Sequence, residues 1–438
     1  MGILANENAI STGGYQISNS LRFQAASTQY ATRTPVAAGN RQKWTWSAWV
    51  KRGNVSTDNT VFSAGSGGSY TSITFDSTQQ LYYYDNGAFV ETSQVFRDPS
   101  AWYHIVVAVD TTQATASNRV KIYVNGSQVT AFGTASYPSL NQNSYINNNN
   151  GHAIGALYTG SAYSSYFDGY MAEVNFIDGQ ALTPSSFGAT NTLTGQWCAA
   201  KYTGTYGTNG FYLPFSNGTS TTTLGADSSG NGNNWTLTNF TRSAGVSDCW
   251  MTDVPSGNGS AGTQPNSNYC VINPLDKVFS AGSLNITAGN LKVTTSQANM
   301  DAATYGSIMM SSGKYYWEVT ITGGGASPAT GNGYNLGIIN ESGSATVQWV
   351  SKTGAPVSTT YTTNDVLGFA FDATAGTIQL YKNNVAAGSP QSFAYTAKAF
   401  LYYWGNDGST AAFSVNFGQR SFAYTPPSGF KALCTANL

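Results

Sequence analysis

The sequence predicts an all-β protein: two antiparallel β-sandwiches of jelly-roll type joined by a Gly/Ser/Asn-rich region. Three observations predict it. Glycine (48) and tyrosine (28) abound alongside serine, threonine and asparagine, the composition of short strands joined by turns. Runs of alternating apolar and polar residues recur at a spacing of roughly 8–15 residues with no amphipathic helix between them. The chain, at 438 residues, is too long for one ordinary domain.

Along the chain, residues 1–20 ("MGILANENAISTGGYQISNS") are polar and read as a flexible attachment arm. They lack the basic region and apolar core of a secretory signal. Strand text begins at "SLRFQ". In "KWTWSAWVKRG", Trp44 and Trp46 alternate with Thr45 and Ser47, the period of a half-buried strand. In "LYYYDNG", Leu81 and Tyr83 share one face while Tyr82 and Tyr84 share the other. The stretch "WYHIVVAVDTTQATASNRVKIYVNG" (Trp102–Gly126) is apolar on both faces at first, with Ile105, Val107 and Val109 opposite His104, Val106 and Ala108. That pattern suits an interior strand, and Asn125-Gly126 suits a two-residue type I′ turn.

Tyr158, Tyr163 and Tyr166 fall in an expected loop, and His152 in another after "NNNNG". "FDGYMAEVNFID" reads as a strand, and Thr183-Pro184 as the cap and first residue of a short helix. Residues 191–272 read as a transitional and linker region, with the main boundary in "DVPSGNGSAGTQPNSN". Residues 273–438 return to strand text. There "DVLGFAFDATAGTIQLYKNN" (Asp365–Asn384) repeats the earlier succession of strand, polar turn, strand and Asn-containing tight turn.

Charge limits the function. The net charge is −1, from 19 Lys and Arg against 20 Asp and Glu, with no basic run. Nucleic-acid binding, which needs a positive stripe, is disfavoured. No apolar stretch is long enough for a membrane helix. Cys198, Cys249, Cys270 and Cys434 are scattered without a CxxC pair. Three disulfide connectivities are open to them, and thiols are expected if the chain is made in a cytosol.

No catalytic residue is singled out. Sugar hydrolysis needs two carboxylates flanking the bond, and the five glutamates (Glu7, Glu91, Glu173, Glu318, Glu341) lie far apart in sequence. Glu173 and Asp178 would point to opposite faces of a regular strand. His104, within a strand, reads as structural, and His152 has no nucleophile signature nearby. Asp227, Ser229, Asn231 and Asn233 hold positions 1, 3, 5 and 7 of an EF-hand-like loop, making calcium the one cofactor considered. The loop has a single carboxylate and ends in Thr238 where a bidentate glutamate is needed, so a plain Asn/Gly turn is favoured. Asp110 and Asp168 are weaker calcium candidates. The ligand-binding candidates are aromatic clusters with polar neighbours: Tyr82, Tyr84, Asp85 and Asn86; Tyr158, Tyr163 and Tyr166; and Tyr403, Trp404, Asn406 and Asp407. Such rings fill cores and subunit interfaces as readily as they meet ligands.

"WTWSAWVKRG", "WYHIVVAVD", "VKIYVNGSQV" and "FDGYMAEVNFIDGQALTPSSFG" together resemble the laminin-G-like, concanavalin A-type jelly roll over residues 21–190. "GKYYWEVTI", "YNLGIIN", "DVLGFAFDATAGTIQLYKNN" and "FSVNFGQRSFAYTPPSGFKAL" resemble a SPRY domain over residues 273–438. The whole arrangement resembles tailed-bacteriophage virion proteins. The resemblance implies a fibre or spike protein, a homotrimer, that contacts other virion proteins and binds host-surface glycan or protein. It would be made in the host cytoplasm, released by lysis and displayed on the virion surface without membrane insertion. A capsid decoration or head fibre and a polysaccharide depolymerase are the alternatives.

Overall fold

The computed structural model describes residues 14–192, 194–241, 249–255, 261–279, 284–295, 300–323, 333–342, 346–350, 361–405 and 412–438. The fold is all-β, and the chain divides into two compact units, Thr12–Asn258 and Gly259–Leu438. Among the described residues no helix is long and apolar enough to cross a membrane.

The strands of the first unit are β1 (Ser20–Phe23), β2 (Tyr30–Arg33), β3 (Lys43–Arg52), β4 (Asn59–Ser66), β5 (Ser69–Phe75), β6 (Gln80–Asp85), β7 (Ala88–Val95), β8 (Trp102–Asp110), β9 (Val120–Val124), β10 (Ser127–Gln128), β11 (Phe132–Ser136), β12 (Gly151–Ile154), β13 (Leu157–Tyr158), β14 (Tyr163–Ser164), β15 (Gly169–Asp178), β16 (Gly188–Thr190), β17 (Trp197–Ala199), β18 (Phe211–Leu213), β19 (Thr236–Thr238) and β20 (Trp250–Met251). One sheet runs β10-β9-β8-β3-β15-β1-β20, with β18 pairing beside β15. The other runs β11-β7-β6-β5-β4-β12-β2-β19. Their facing sides make one apolar core around Trp44, Trp46, Phe62, Ile73, Tyr83, Ile105, Val107, Ile122 and Phe176.

The first sheet departs from the half-buried expectation for β3, because its outer side is covered as well. Trp44, Trp46, Ala48 and Val50 enter the core, and the residues alternating with them, Thr45, Ser47, Trp49 and Lys51, are buried too. Thr45 Oγ1 donates to Gln180 O (2.7 Å) and accepts from Leu182 N–H (2.8 Å). Ser47 Oγ lies 2.9 Å from His104 Nε2. The His104 ring packs beside Trp49, with centroids 5.0 Å apart. Lys51 Nζ pairs with Asp253 at 2.9 Å, with neither side chain exposed to solvent. A second, smaller apolar cluster of Val106, Ala108, Tyr123, Ile177, Phe187 and Tyr202 fills the space beneath residues 182–206.

These contacts revise the boundaries read from the sequence. Residues 191–272 are not a linker throughout: β17 to β20 all pair within the first unit. The second unit begins before residue 273, since Tyr269 is bridged to Cys434. The strands between 191 and 255 are two or three residues long, too short to show alternation, and only their pairing partners make them strands. The expected arm is likewise partly built in. Residues 1–13 lie outside the described residues, but Ile17 is buried and Ser20 opens β1. At Thr183-Pro184 a single 3-10 turn forms with Pro184 first, but Thr183 caps no backbone N–H; its hydroxyl meets Ser185 Oγ instead (2.8 Å).

In the second unit one sheet places Ala397–Gly405 between Met300–Met310 and Gly333–Asn340. The other places Lys314–Gly323 between Ala412–Asn416 and Val366–Asp372, with Thr377–Lys382 and Val385–Ala386 beyond. Trp317 stacks on Phe369 at 5.3 Å in its core. The repeated sentence has a shared physical meaning here. Asn125 and Asn383 both sit at φ +47 and are followed by a second positive-φ residue, Gly126 or Asn384. Each asparagine exchanges two bonds with the neighbouring strand. Its N–H donates to His104 O (2.9 Å) or Val366 O (2.8 Å). Its Oδ1 accepts from the N–H of that same residue, at 2.8 or 2.9 Å. This is the left-handed two-residue turn that asparagine tolerates. All four cysteines are free thiols.

Asp253 also accepts from Trp102 Nε1–H at 3.0 Å, so its removal takes the charged partner from a buried ammonium and the acceptor from a buried indole N–H. Asp253→Ala should lower the unfolding free energy by about 3–5 kcal/mol in a urea titration. A loss below about 1 kcal/mol would show that Lys51 does not depend on this partner.

Candidate functional site

Among the described residues, no continuous apolar cluster covers the outer side of the second sheet. Alternation sends Ile73, Phe75, Leu81, Tyr83 and Val90 into the core and turns Tyr70, Ser72, Thr74, Tyr82, Tyr84, Phe89 and Glu91 outward. Register aligns Phe89, Tyr84, Ser72, Ser63, Ala153 and Thr32 in one row across six strands. Tyr70 and Tyr84 lie 4.6 Å apart between centroids, and Tyr82 and Phe89 lie 5.0 Å apart. All four rings are half-buried. Between them Ser72 is fully buried, and its Oγ has no hydrogen-bond partner.

A second aromatic group stands on the same side. Tyr158, Tyr163 and Tyr166 belong to the β13–β14 hairpin and its exit rather than to an open loop. Tyr158 stacks on Tyr163 (4.6 Å), Tyr163 on Tyr30 of β2 (4.2 Å), and Tyr166 leans on Tyr30 (5.9 Å). Gly151 and Gly65 make this possible. A β-carbon at either position would collide with Tyr158, with its ring at Gly151 and its backbone oxygen at Gly65. Burial, then the neighbouring phenols, push the Tyr163 hydroxyl up to about 12.

Asp85 is not a surface acceptor. It shares the inward face of Tyr83, is fully buried, and accepts from Thr71 Oγ1 (2.7 Å), Tyr83 OH (3.1 Å) and Gln142 Nε2 (3.0 Å). Burial outweighs those bonds and raises its carboxyl to about 6. The alternation that separates Tyr83 from Tyr84 already assigns Asp85 inward. Asn86 is exposed, at φ +44 before Gly87, and serves the β6–β7 turn. Tyr403 and Trp404 lie in the Ala397–Gly405 strand between two partners; Asn406 and Asp407 lie outside the described residues. The outward partners Tyr30, Tyr70, Ser72 and Phe89 escape a search for tyrosine runs, although alternation in "SYTSITF" marks two of them.

The Asp227 loop is a hydrogen-bonded turn. Oδ1 accepts from Tyr212 N–H (2.9 Å) and Ser229 N–H (2.8 Å), while Oδ2 accepts from Ser229 Oγ and Asn233 N–H, both at 2.8 Å. Asn231 and Asn233 turn their amide N–H groups onto the carbonyls of residues 207–210. Asp110 faces Lys43 at 3.1 Å, and Asp168 Oδ2 accepts weakly from Ala25 N–H (3.4 Å). Among the described residues no three His, Cys, Asp or Glu side chains group as a metal site.

Both histidines are buried and neutral. Trp197 Nε1–H donates to His104 Nδ1 at 2.9 Å, which keeps the ring proton on Nε2 facing Ser47. His152 lies in β12 rather than in a loop; its Nε2 accepts from Asn147 N–H (2.9 Å) and its Nδ1 meets Asn150 O (2.8 Å). Burial lowers His104 to about 3 and His152 to about 4.

Glu318 accepts from Ala423 N–H (2.8 Å), Tyr424 N–H (3.0 Å) and Tyr316 OH (3.1 Å). Burial, then the nearby Asp76 charge, raises the Glu91 carboxyl. Carboxyls that flank a glycosidic bond stand about 5–9.5 Å apart. Glu173 sits in a bulge of β15 at φ +52, so its direction does not follow regular alternation. It accepts from Tyr15 OH (2.8 Å) and Tyr212 OH (2.8 Å), and Tyr15 and Tyr212 are 2.6 Å apart.

Residues 25–186 match the family model of the concanavalin A-like lectin/glucanase superfamily, laminin G type. This jelly-roll match lies wholly within the first unit and covers under half of the chain. No curated protein matches the chain. Solved structures give partial likenesses. A candidate carbohydrate-binding protein from Bacteroides ovatus is 18% identical at TM-score 0.35, over 51% of this chain and 58% of that one. The SPRY domain of human HERC1 is 14% identical at TM-score 0.26, over 33% and 96%. Domain 4 of AbnA, a Geobacillus stearothermophilus arabinanase in complex with arabinotriose, is 20% identical at TM-score 0.25, over 33% and 65%.

Burial raises the Glu173 carboxyl to about 7, against the opposing hydrogen bonds of Tyr212 and Tyr15. A raised carboxyl contributes stability that is full below its unfolded value of 4.5 and lost as pH rises through the folded value. Glu173→Gln should therefore flatten the fall in melting temperature between these pH values, leaving the part due to Asp85. An unchanged slope would show that Glu173 does not titrate in this window.

Proposed function

We propose that the chain is a non-enzymatic surface protein of a tailed-bacteriophage virion, of fibre or spike type, that binds host-surface glycan through its first unit. The observation that carries the binding role is the outward face of the second sheet. Two groups of half-buried tyrosines stand there among serines and threonines, and such rings offer flat apolar area to sugar C–H faces and hydroxyls to sugar oxygens. Supporting it, the matched superfamily is one of lectins and glucanases, and Glu173 and Glu318 are held by structural partners.

The virion assignment rests on the sequence resemblance and on a weakly charged, hydroxyl-rich composition. Other virion proteins and two further copies in a homotrimer are the partners it implies. Display of many copies on a symmetric particle converts weak single-site binding into avidity.

Fluorescently labelled protein should bind intact host cells saturably, and purified surface polysaccharide should abolish that binding. Tyr84→Ala and Tyr163→Ala should each weaken it roughly 3- to 10-fold, the scale of one aromatic contact. Absence of binding by an oligomeric preparation would replace this reading with one of capsid decoration, in which the sandwiches touch only neighbouring subunits.

A further inference from the structure

The charges around the ring-lined face select among glycans; this inference rests on the glycan-binding reading above. Across β2, β4–β7, β11–β14 and β19 the only Lys or Arg is Arg33. Its guanidinium is engaged elsewhere, with Asn233 Oδ1 and Asn209 O, near Asp227. Beyond the end of β7, Arg97 donates to Gln79 Oε1 at 3.0 Å. The acids lie closer. Glu91 is cross-strand from Tyr82, and the charges of Asp58 and Asp76 are felt at the Tyr82 phenol, with Asp58 felt at Tyr70 as well. A uronate or sialate carboxylate laid on these rings would meet acids of its own sign and, among the described residues of these strands, no cation free of a partner. An uncharged sugar meets rings and hydroxyls.

Ser72 supplies the polar contact. The buried hydroxyls of Ser63, Thr60 and Thr74 are already satisfied: Ser63 Oγ donates to Ala156 O (2.8 Å) and accepts from Tyr158 N–H (2.9 Å), and Thr60 and Thr74 bond each other (2.9 Å). Ser72 Oγ alone in this row is buried without a partner, directly cross-strand from Tyr84 and two residues from Tyr70. A buried hydroxyl left unpaired is costly, so a ligand that supplies its partner recovers that cost on binding. Access requires rotation of one half-exposed ring, a fast motion. We propose that the patch centred on Tyr70, Ser72 and Tyr84 binds an uncharged glycan, accepts one sugar hydroxyl at Ser72, and rejects uronate- or sialate-bearing chains.

Calorimetry of the full chain against dextran, mannan and laminarin, and against alginate and polysialic acid, at low and high salt, tests this. At least one neutral glycan should bind with an affinity nearly independent of salt, and the acidic ones should bind at least about tenfold more weakly. Ser72→Ala should cut neutral-glycan affinity roughly 3- to 10-fold without lowering the melting temperature, because the hydroxyl supports nothing in the free protein. Tyr84→Ala should cut it similarly. Tighter, salt-sensitive binding of an acidic glycan would overturn the charge selection while leaving glycan binding intact. Neutral binding untouched by both variants would overturn the location. Binding to none of the five would overturn the glycan reading itself, and this inference with it.

Discussion

Burial of both sides of the first sheet is the constraint on which the rest of the N-terminal unit depends. A sandwich needs only one side of each sheet covered, yet β3, β8 and β15 also carry Trp49, His104, Val106, Lys51 and Tyr170 outward. Those side chains require a second covering, and residues 179–206 and 249–255 provide it. The most exacting element is the Lys51–Asp253 pair. Two charges removed from water are tolerated only with tight mutual geometry and further hydrogen bonds, so the segment carrying Asp253 must be in place before β3 is stable as it stands.

His104 shows the same dependence in neutral form. Its ring is held between Ser47 and the indole of Trp197. A β-carbon on Gly126 or Gly188 would run into that indole. The turn after β9, the β16–β17 hairpin and the outer side of the first sheet are thus interlocked around one tryptophan. The polar groups of Thr45, Ser47, Lys51 and His104 on this side are each paired within the unit.

The second sheet carries the opposite arrangement. Only its inner side is closed by the core, and its outer side is crossed by one short hairpin. Half-buried rings, hydroxyls and a concealed serine remain there, in a setting short of cations. The two sheets of one sandwich therefore divide the work: the first is sealed for stability, and the second presents chemistry.

The sequence by itself determined the all-β class, the position of the interior strand Trp102–Asp110 and the two asparagine turns. Each depends on alternation or on backbone preferences that act within a few residues. Alternation put Tyr82 and Tyr84 on one face and Leu81 and Tyr83 on the other and, followed two residues beyond Tyr83, would have put Asp85 with the latter. Only the tertiary structure decided which outward faces are covered again, that "KWTWSAWVKR" is buried on both sides, and that segments between 191 and 255 complete the first unit. It alone brought Tyr30 to Tyr163, Tyr70 to Tyr84 and Tyr15 to Glu173. The physical reason is that burial and pairing are relations between strands distant in sequence, set by register and by a bulge such as the one at Glu173, and no local pattern encodes them.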